Sequence, residues 1–305
     1  MQKRYFLILL LVFSLNLVGQ EFEIDKPLIQ LDSLRFGEDE TFEVISWNIQ
    51  NFPKHEHTVE LSAEIINAIS PDIIALQEIQ SHSAFVDLVI NLNLLDEINV
   101  WDGYRAFSDE WELDLAYVFK KNVIEVINIF EIYEEEEYDY AFPRRPLVME
   151  LIYNDEELVI INNHFKAMQG KENELRRKEA VKNLKTYVES EYDLANIIIV
   201  GDLNDHLTDT GNDNVFLEIL EDNENFKFAD FDVAVDSTAN WSYPYWKYRG
   251  HIDHIIISNE LFDEFEQEGS YYRTIVIDKY MEGGEDRRYQ TVTDHRPVGL
   301  KLKFK

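Results

Sequence analysis

Polar residues close or open apolar runs at six places along this chain. In "NIIIVGDLNDH", Ile197–Val200 lead through Gly201 to Asp202 and Asn204. Asn48 ends "FEVISWN", Glu78 ends "DIIALQE" and His164 ends "ELVIINNH". Asp253 sits at the head of "DHIIIS", and the pair Asp294-His295 precedes "RPVGLKLKF". A single acid at a strand end means little, but the repetition points to several rigid mounts converging on one site. The groups are four carboxylates (Glu78, Asp202, Asp253, Asp294), two amides (Asn48, Asn204) and two imidazoles (His164, His295). Their oxygens are hard ligands and suit Mg²⁺, with Mn²⁺ or Ca²⁺ as alternatives. There is no HExxH motif and no cysteine, which argues against a zinc hydrolase and excludes thiol catalysis and thiolate sites. Nor is there a Gly-rich phosphate loop that would indicate nucleotide-driven work. A hard cation, two histidines and a further carboxylate meet the needs of phosphoester hydrolysis. The cation neutralises phosphate oxygens, a base activates water, and a donor stabilises the leaving oxygen.

The elements that must hold these groups follow from periodicity. Strands are expected at 42–48, 72–79, 104–107, 115–120, 123–133, 196–202, 251–258, 274–277 and 296–304. Two more form a hairpin around Asn154-Asp155-Glu156. Helices are expected at 58–70, where Pro71 ends the pattern, at 84–95 and at 171–192. Residues 134–140, "EEEEYDY", read as an acidic turn. Strands outnumber helices, and helices fall between some of them, which predicts a layered α/β domain with helices covering sheets. Strand alternation places His251 and Asp253 on one face and His254 on the other, which assigns the two histidines to structure rather than to a shared metal.

No Pro/Gly-rich linker divides residues 42–305, so they read as one domain, preceded by a lead-in at 21–41. Lys3 and Arg4 precede the apolar stretch "YFLILLLVFSLNLVG", so residues 1–20 read as a signal peptide. That stretch is shorter than the ~20 residues of a spanning helix. With no lipobox cysteine, the expectation is a secreted or periplasmic monomer without stable membrane association. The 305 residues carry 28 Lys and Arg against 60 Asp and Glu, a formal charge of -32. Such a chain repels nucleic acid over long range. Salt screens that repulsion, and a bound divalent cation inverts it locally.

In order, "SWNIQNF", "PDIIALQEI", "NNHFKA", "GDLND", "HIDHIIIS" and "TDHRPV" resemble the motifs of the endonuclease/exonuclease/phosphatase superfamily. The resemblance spans residues 42–305 and lies with the branch of pancreatic deoxyribonuclease I and secreted bacterial nucleases. It implies a four-layered α/β sandwich of two mostly antiparallel central sheets with helices outside. It also implies roles. Glu78 binds the metal, with Asn48 and Asp294 near it. Asp202 and Asn204 orient nucleophile and phosphate. His295 activates water and Asp253 orients its ring, while His164 stands near the leaving group. "FPRRP" resembles a segment that supplies a phosphate-binding arginine, here Arg144.

Two positions depart from the deoxyribonuclease I pattern. Gln80 stands where that pattern has an arginine that enters the DNA minor groove. The glutamate partner of the second histidine has no clean match, and Glu112 and Asp114 are the candidates. Trp241, Tyr243, Tyr245, Trp246 and Tyr248 either stack on bases or pack their own loop. The implied function is a secreted, metal-dependent phosphodiesterase, an endonuclease acting on DNA or RNA. The alternatives are a small-molecule or lipid-headgroup phosphatase (sphingomyelinase-like or inositol-phosphate enzyme) and a binding protein that keeps the fold without catalysis.

Overall fold

Alternation along strand β1 (Phe42–Phe52) creates the layers. Phe42 and Val44 enter one core, whereas Ile45, Trp47 and Ile49 enter another on the opposite face. The structure, a computed structural model, describes residues 31–107, 113–192, 194–236, 239–245 and 248–305. The signal-peptide reading and the start of the lead-in lie outside the described residues.

After β1 come α1 (Thr58–Ile69), β2 (Ile73–Ile79), α2 (His82–Leu95), β3 (Trp101–Arg105), β4 (Asp114–Lys120) and β5 (Glu125–Glu131). Then come β6 (Leu147–Tyr153), β7 (Glu156–His164), α3 (Lys171–Glu191), β8 (Asn196–Asp202), α4 (Leu217–Leu220), β9 (Phe226–Phe228) and α5 (Phe231–Val235). The last elements are β10 (Tyr243–Tyr245), β11 (Tyr248–Gly250), β12 (Asp253–Ser258), α6 (Phe262–Phe265), β13 (Tyr271–Thr274), α7 (Gly284–Thr291) and β14 (Val298–Leu302).

Two six-stranded sheets result, in the orders β13-β14-β1-β2-β4-β3 and β5-β6-β7-β8-β12-β9. Each has one parallel pair, β1 with β2 and β7 with β8, and is otherwise antiparallel. The sheets pack face to face through Val44, Ile73, Leu300, Met149, Ile160 and Ile198. On the outer face of the first, Ile74 and Leu76 meet Ile66, Leu88 and Leu92 of α1 and α2. On the outer face of the second, Ile161 and Ile199 meet Val181, Leu184 and Val188 of α3. Three cores between four layers give the expected sandwich. Among the described residues no helix is long and apolar enough to cross a membrane.

Local chemistry moves several boundaries. α2 starts at His82 because Ser81 caps it, its hydroxyl accepting from Ala84 N at 3.2 Å. The strands expected at 104–107 and 274–277 lie three residues earlier, and Ile277–Tyr280 forms a 3-10 turn. Ile275 and Ile277 are buried, but they cover the helix layer rather than extend the strand. α7 was not foreseen: its buried side chains are Arg287, Arg288 and Thr291, so no apolar periodicity marks it. The described part of the lead-in packs onto the domain. Leu34 and Phe36 are buried, and Phe36 N and Gly37 N both donate to Ile69 O.

At the strand ends where β1 and β2 begin, a groove of about 1250 Å³ is lined by Gly37, Asp72, Lys120 and Tyr153 among others. Beside it Glu43 is fully buried, and its N–H donates to Asp72 Oδ2 at 3.1 Å. Burial and the nearby Asp72 charge push the Glu43 carboxyl up to about 8. A carboxyl raised by folding stabilises the protein below its ordinary range, and that contribution is lost as pH rises through the folded value. Glu43→Gln is therefore expected to raise Tm by about 5 °C at pH 9 and to leave it nearly unchanged at pH 5. Melting curves at the two pH values check this, and an equal shift at both would contradict it.

Candidate active site

The site lies at the other strand ends, where register brings its groups together. In the second sheet, His164 on β7 pairs with Asp202 on β8, and Asp202 pairs in turn with Asp253 on β12. Three chemical groups thus share one row. Gly201 permits this, because a Cβ there would lie 2.1 Å from Asn163 O. In the first sheet, parallel β1 and β2 deliver Asn48 and Glu78 to the same end. The Asp294-His295 turn is tied to β1 through Thr293, whose hydroxyl donates to Asn48 O at 2.7 Å and accepts from His295 N at 3.0 Å. Beneath the site, Gln77 Nε2 donates to Asn162 Oδ1 at 2.8 Å and Asn162 Nδ2 to Leu76 O at 3.0 Å. These buried bonds fix one sheet against the other, and so Glu78 against His164.

Asp202 occupies the centre. Its Oδ2 lies 3.6 Å from His164 Nε2 and 3.6 Å from His295 Nε2, and it accepts from Asn48 Nδ2 at 2.9 Å. The same Asn48 amide donates to Glu78 Oε1 at 3.1 Å. His295 Nδ1 lies 2.8 Å from Asp253 Oδ2, and its Nε2 is 3.9 Å from Asp294 Oδ1. Asn204 N donates to Asp202 Oδ1 at 3.1 Å, and its side chain donates to Phe165 O at 3.2 Å. Gln50, Asn51, Glu78 and Asn204 all have positive φ, between 42° and 65°. Strained non-glycine backbone gathers here because the surrounding bonds over-determine it. Asn51 N, for example, donates to Glu78 Oε2 at 3.0 Å.

The electrostatics follow from burying acids together. Burial raises the Asp202 pKa, against the pull of His295 and with the help of Asp253. Burial also raises that of Asp294, and Glu78 adds to it. Burial opposes charge on His295, but Asp253, Asp202 and Asp294 outweigh it and raise its pKa. His164 goes the other way. Burial lowers its pKa, Arg144 and His295 add to the effect, and the ring is held neutral. Its Nε2 faces the carboxylates of Asp202 and Glu78, so the proton of the neutral ring belongs on that nitrogen. Asp253 Oδ1 is buried without a hydrogen-bond partner among the described residues. Glu78 and Asp294 keep 17 % and 13 % of their side chains exposed and form the mouth. This crowd of oxygens fits a hard divalent cation, which Glu78, Asp202 and Asp294 could hold with Asn48 beside them.

All eight groups read at the strand ends therefore meet in one place. Arg144 lies close enough to be pulled by Glu78 and Asp202, and its Nε is buried without a hydrogen-bond partner among the described residues. Of the aromatics, Trp241 is buried under Arg296, whose guanidinium lies 3.2 Å from the ring centre, so it packs the loop. The Tyr243 ring lies 4.8 Å from that of His295. Trp246 and the side chains of Tyr245 and Tyr248 lie outside the described residues. Glu112 also lies outside them, and Asp114 is ion-paired with Arg105. His164 Nδ1 has no hydrogen-bond partner among the described residues. The reading missed Gln50, whose Nε2 donates to Asp294 Oδ2 at 2.8 Å and whose Oε1 accepts from Lys54. Its only signal was its place inside "SWNIQNF".

The separation of His251 from His254 is overturned. Both meet Asp230: His254 Nδ1 lies 2.6 Å and His251 Nε2 3.2 Å from its Oδ2. β12 begins only at Asp253, so strand alternation does not reach His251.

Residues 38–300 match the model of the Endonuclease/Exonuclease/phosphatase family. No curated protein sequence matches the chain. Among solved structures, an endonuclease/exonuclease/phosphatase family protein from Bacteroides thetaiotaomicron is similar, with a TM-score of 0.62 at 15 % identity. That match covers 87 % of this chain and 98 % of the other. The human Nocturnin catalytic domain with bound sulfate anion has a TM-score of 0.61 at 18 % identity, covering 87 % and 94 %. D. rerio TDP2 complexed with single strand DNA product has a TM-score of 0.60 at 13 % identity, covering 87 % and 100 %. At these identities the likeness is one of fold.

Proposed function

We propose that this chain, which belongs to the endonuclease/exonuclease/phosphatase family, is a secreted, divalent-metal-dependent phosphodiesterase that cleaves nucleic acid strands. The observation that carries this reading is the position of the Asp202 carboxylate, 3.6 Å from the Nε2 of each histidine and linked through Asn48 to Glu78. Two imidazoles of opposite character then flank one phosphate position. His295 has its Nδ1 proton fixed by Asp253, and a cation on the neighbouring acids would offset the charge that raises its pKa, which leaves Nε2 as the atom that takes a proton. His164, neutral and protonated at Nε2, is a hydrogen-bond donor.

Water enters on the His295 side, and its oxygen bonds phosphorus as the opposite P–O bond breaks. The water proton passes to His295 Nε2. The departing oxygen leaves towards the His164 N–H and is protonated from solvent. Asn204, held by Asp202 and Phe165, presents an amide edge to the phosphate, and Arg144 neutralises a non-bridging oxygen. A Mg²⁺ ion held by Glu78 and Asp294 would supply charge neutralisation at the phosphate. Mn²⁺ or Ca²⁺ would meet the same oxygen ligands.

The test offers plasmid DNA, RNA and bis-p-nitrophenyl phosphate to the purified protein, with Mg²⁺ or with EDTA. Metal-dependent cutting of DNA or RNA, abolished by chelation, is the expected outcome. Intact nucleic acid would overturn the nuclease reading. Hydrolysis of the small diester alone would favour a small-molecule or lipid-headgroup substrate, in keeping with the charge of -32.

A further inference from the structure

The chain leaving the site after His164 carries a second charged group on a fixed mount. Phe165 turns into the core beneath α3 and is 1 % exposed. Phe165 N still donates to Asp202 O at 3.0 Å, so the chain leaves the site beside β8 with Lys166 two residues past His164. Two residues of chain reach at most about 7 Å, the order of the step between neighbouring phosphates on a single strand. The mount is held from behind. Buried Arg177 pairs with Asp205 at 2.8 Å and donates to Lys166 O at 2.8 Å and Met168 O at 3.0 Å.

Three cations gather on this flank. Burial lowers the Lys166 pKa, and repulsion from Arg176, Arg144 and Arg177 lowers it further. Arg177 has its own carboxylate, whereas no ion pair joins Lys166, Arg144 or Arg176 to an acid among the described residues. Lys166 Nζ donates only to Ala167 O at 3.2 Å, and Arg176 donates to the carbonyls of Tyr140 and Asp139. Of the acids around Arg176 and Tyr140, Glu172 engages the Tyr140 hydroxyl and Glu179 lies further along α3. In a chain with 60 acids and 28 bases, the half-buried Lys166 and Arg176, with no ion pair to a carboxylate among the described residues and next to an Arg144 that faces the acids of the site, mark a place for an external anion.

We propose that Lys166, flanked by Arg144 and Arg176, is an outer subsite for the phosphate next to the scissile one in a nucleic acid strand. The subsite rests on the nuclease reading above. It makes the enzyme favour a strand over an isolated diester, although the chain as a whole repels polyanions.

The experiment compares wild type with Lys166→Gln and Lys166→Arg on two substrates. One is a twelve-nucleotide oligothymidylate. The other is thymidine 5′-(p-nitrophenyl phosphate), which has a diester but no neighbouring phosphate. Lys166→Gln is expected to raise KM for the oligonucleotide about ten-fold while leaving kcat and the nitrophenyl ester unaffected, with Lys166→Arg restoring KM. Binding of the oligonucleotide in EDTA, followed by fluorescence anisotropy across a salt series, should lose about 0.7 from its slope of log affinity against log salt. Equal losses on both substrates, or an unchanged KM and slope, would overturn the subsite. Cleavage by wild type that ignores Lys166→Gln sinks the subsite alone, whereas an oligonucleotide left intact by wild type sinks the nuclease reading and the subsite with it.

Discussion

His295→Ala is expected to lower kcat on a phosphodiester on the order of 10³- to 10⁴-fold, with KM changed by less than about three-fold. Among the described residues, the ring is the only group at the site with a hydrogen-bonded acid behind it and a second nitrogen facing the acids in front. Asp253 fixes Nδ1 at 2.8 Å, and Nε2 faces Asp202 and Asp294 at 3.6 and 3.9 Å. Alanine removes the proton acceptor but leaves Glu78, Asp294 and Arg144 to bind phosphate and cation, so the loss belongs in kcat. Circular dichroism and melting curves would show that the variant folds. A fall in kcat of less than ten-fold, in a folded protein, would remove His295 from proton transfer.

Asp230→Ala is expected to cost about 3–5 kcal/mol of folding stability and to lower Tm by about 10 °C. His254 is fully buried, with Nδ1 2.6 Å from Asp230 Oδ2 and Nε2 2.8 Å from Asp205 O. Both neighbours are acceptors, so the ring needs both protons and is an imidazolium. Burial opposes that charge, and Asp230 overcomes it and raises the His254 pKa. Asp230 in turn has its pKa depressed well below the carboxylate range, against burial, by His254 and His251. Without the acid, a buried cation loses its partner. A histidine raised by folding contributes in full below its ordinary pKa, and that contribution is lost as pH rises through the folded value. The gap between wild type and variant should therefore be wider at pH 6 than in alkali. Urea unfolding at the two pH values measures it, and a cost below about 1 kcal/mol at pH 6 would refute the buried ion pair.

Much of the candidate site was legible because its groups sit at ends of strands whose apolar runs are plain. Asp202 and Asn204 follow Ile197–Val200 directly, and Asn48, where the β1 ladder to β2 shifts register, and Glu78, one residue from the end of β2, follow runs buried on both faces. Elements without an apolar pattern were not legible. α7 buries arginines rather than a leucine stripe, and β3 carries Gly103 and Asp102 where an apolar alternation would be read. His251 misled for a local reason: it precedes its strand, and a period of two says nothing about residues before the first ladder bond.

The sequence by itself determined the chemical inventory, the two-faced strands and hence the layers, because these depend on residues a few positions apart. Only the tertiary structure decided that Asp202 sits between two histidines, that Asp230 joins His251 to His254, and that Gln50 holds Asp294. It alone tied Lys166 to α3 through Arg177 and brought its charge within reach of those of Arg144 and Arg176. Those contacts are set by the register of neighbouring strands and the packing of one sheet on the other, and no local period encodes either.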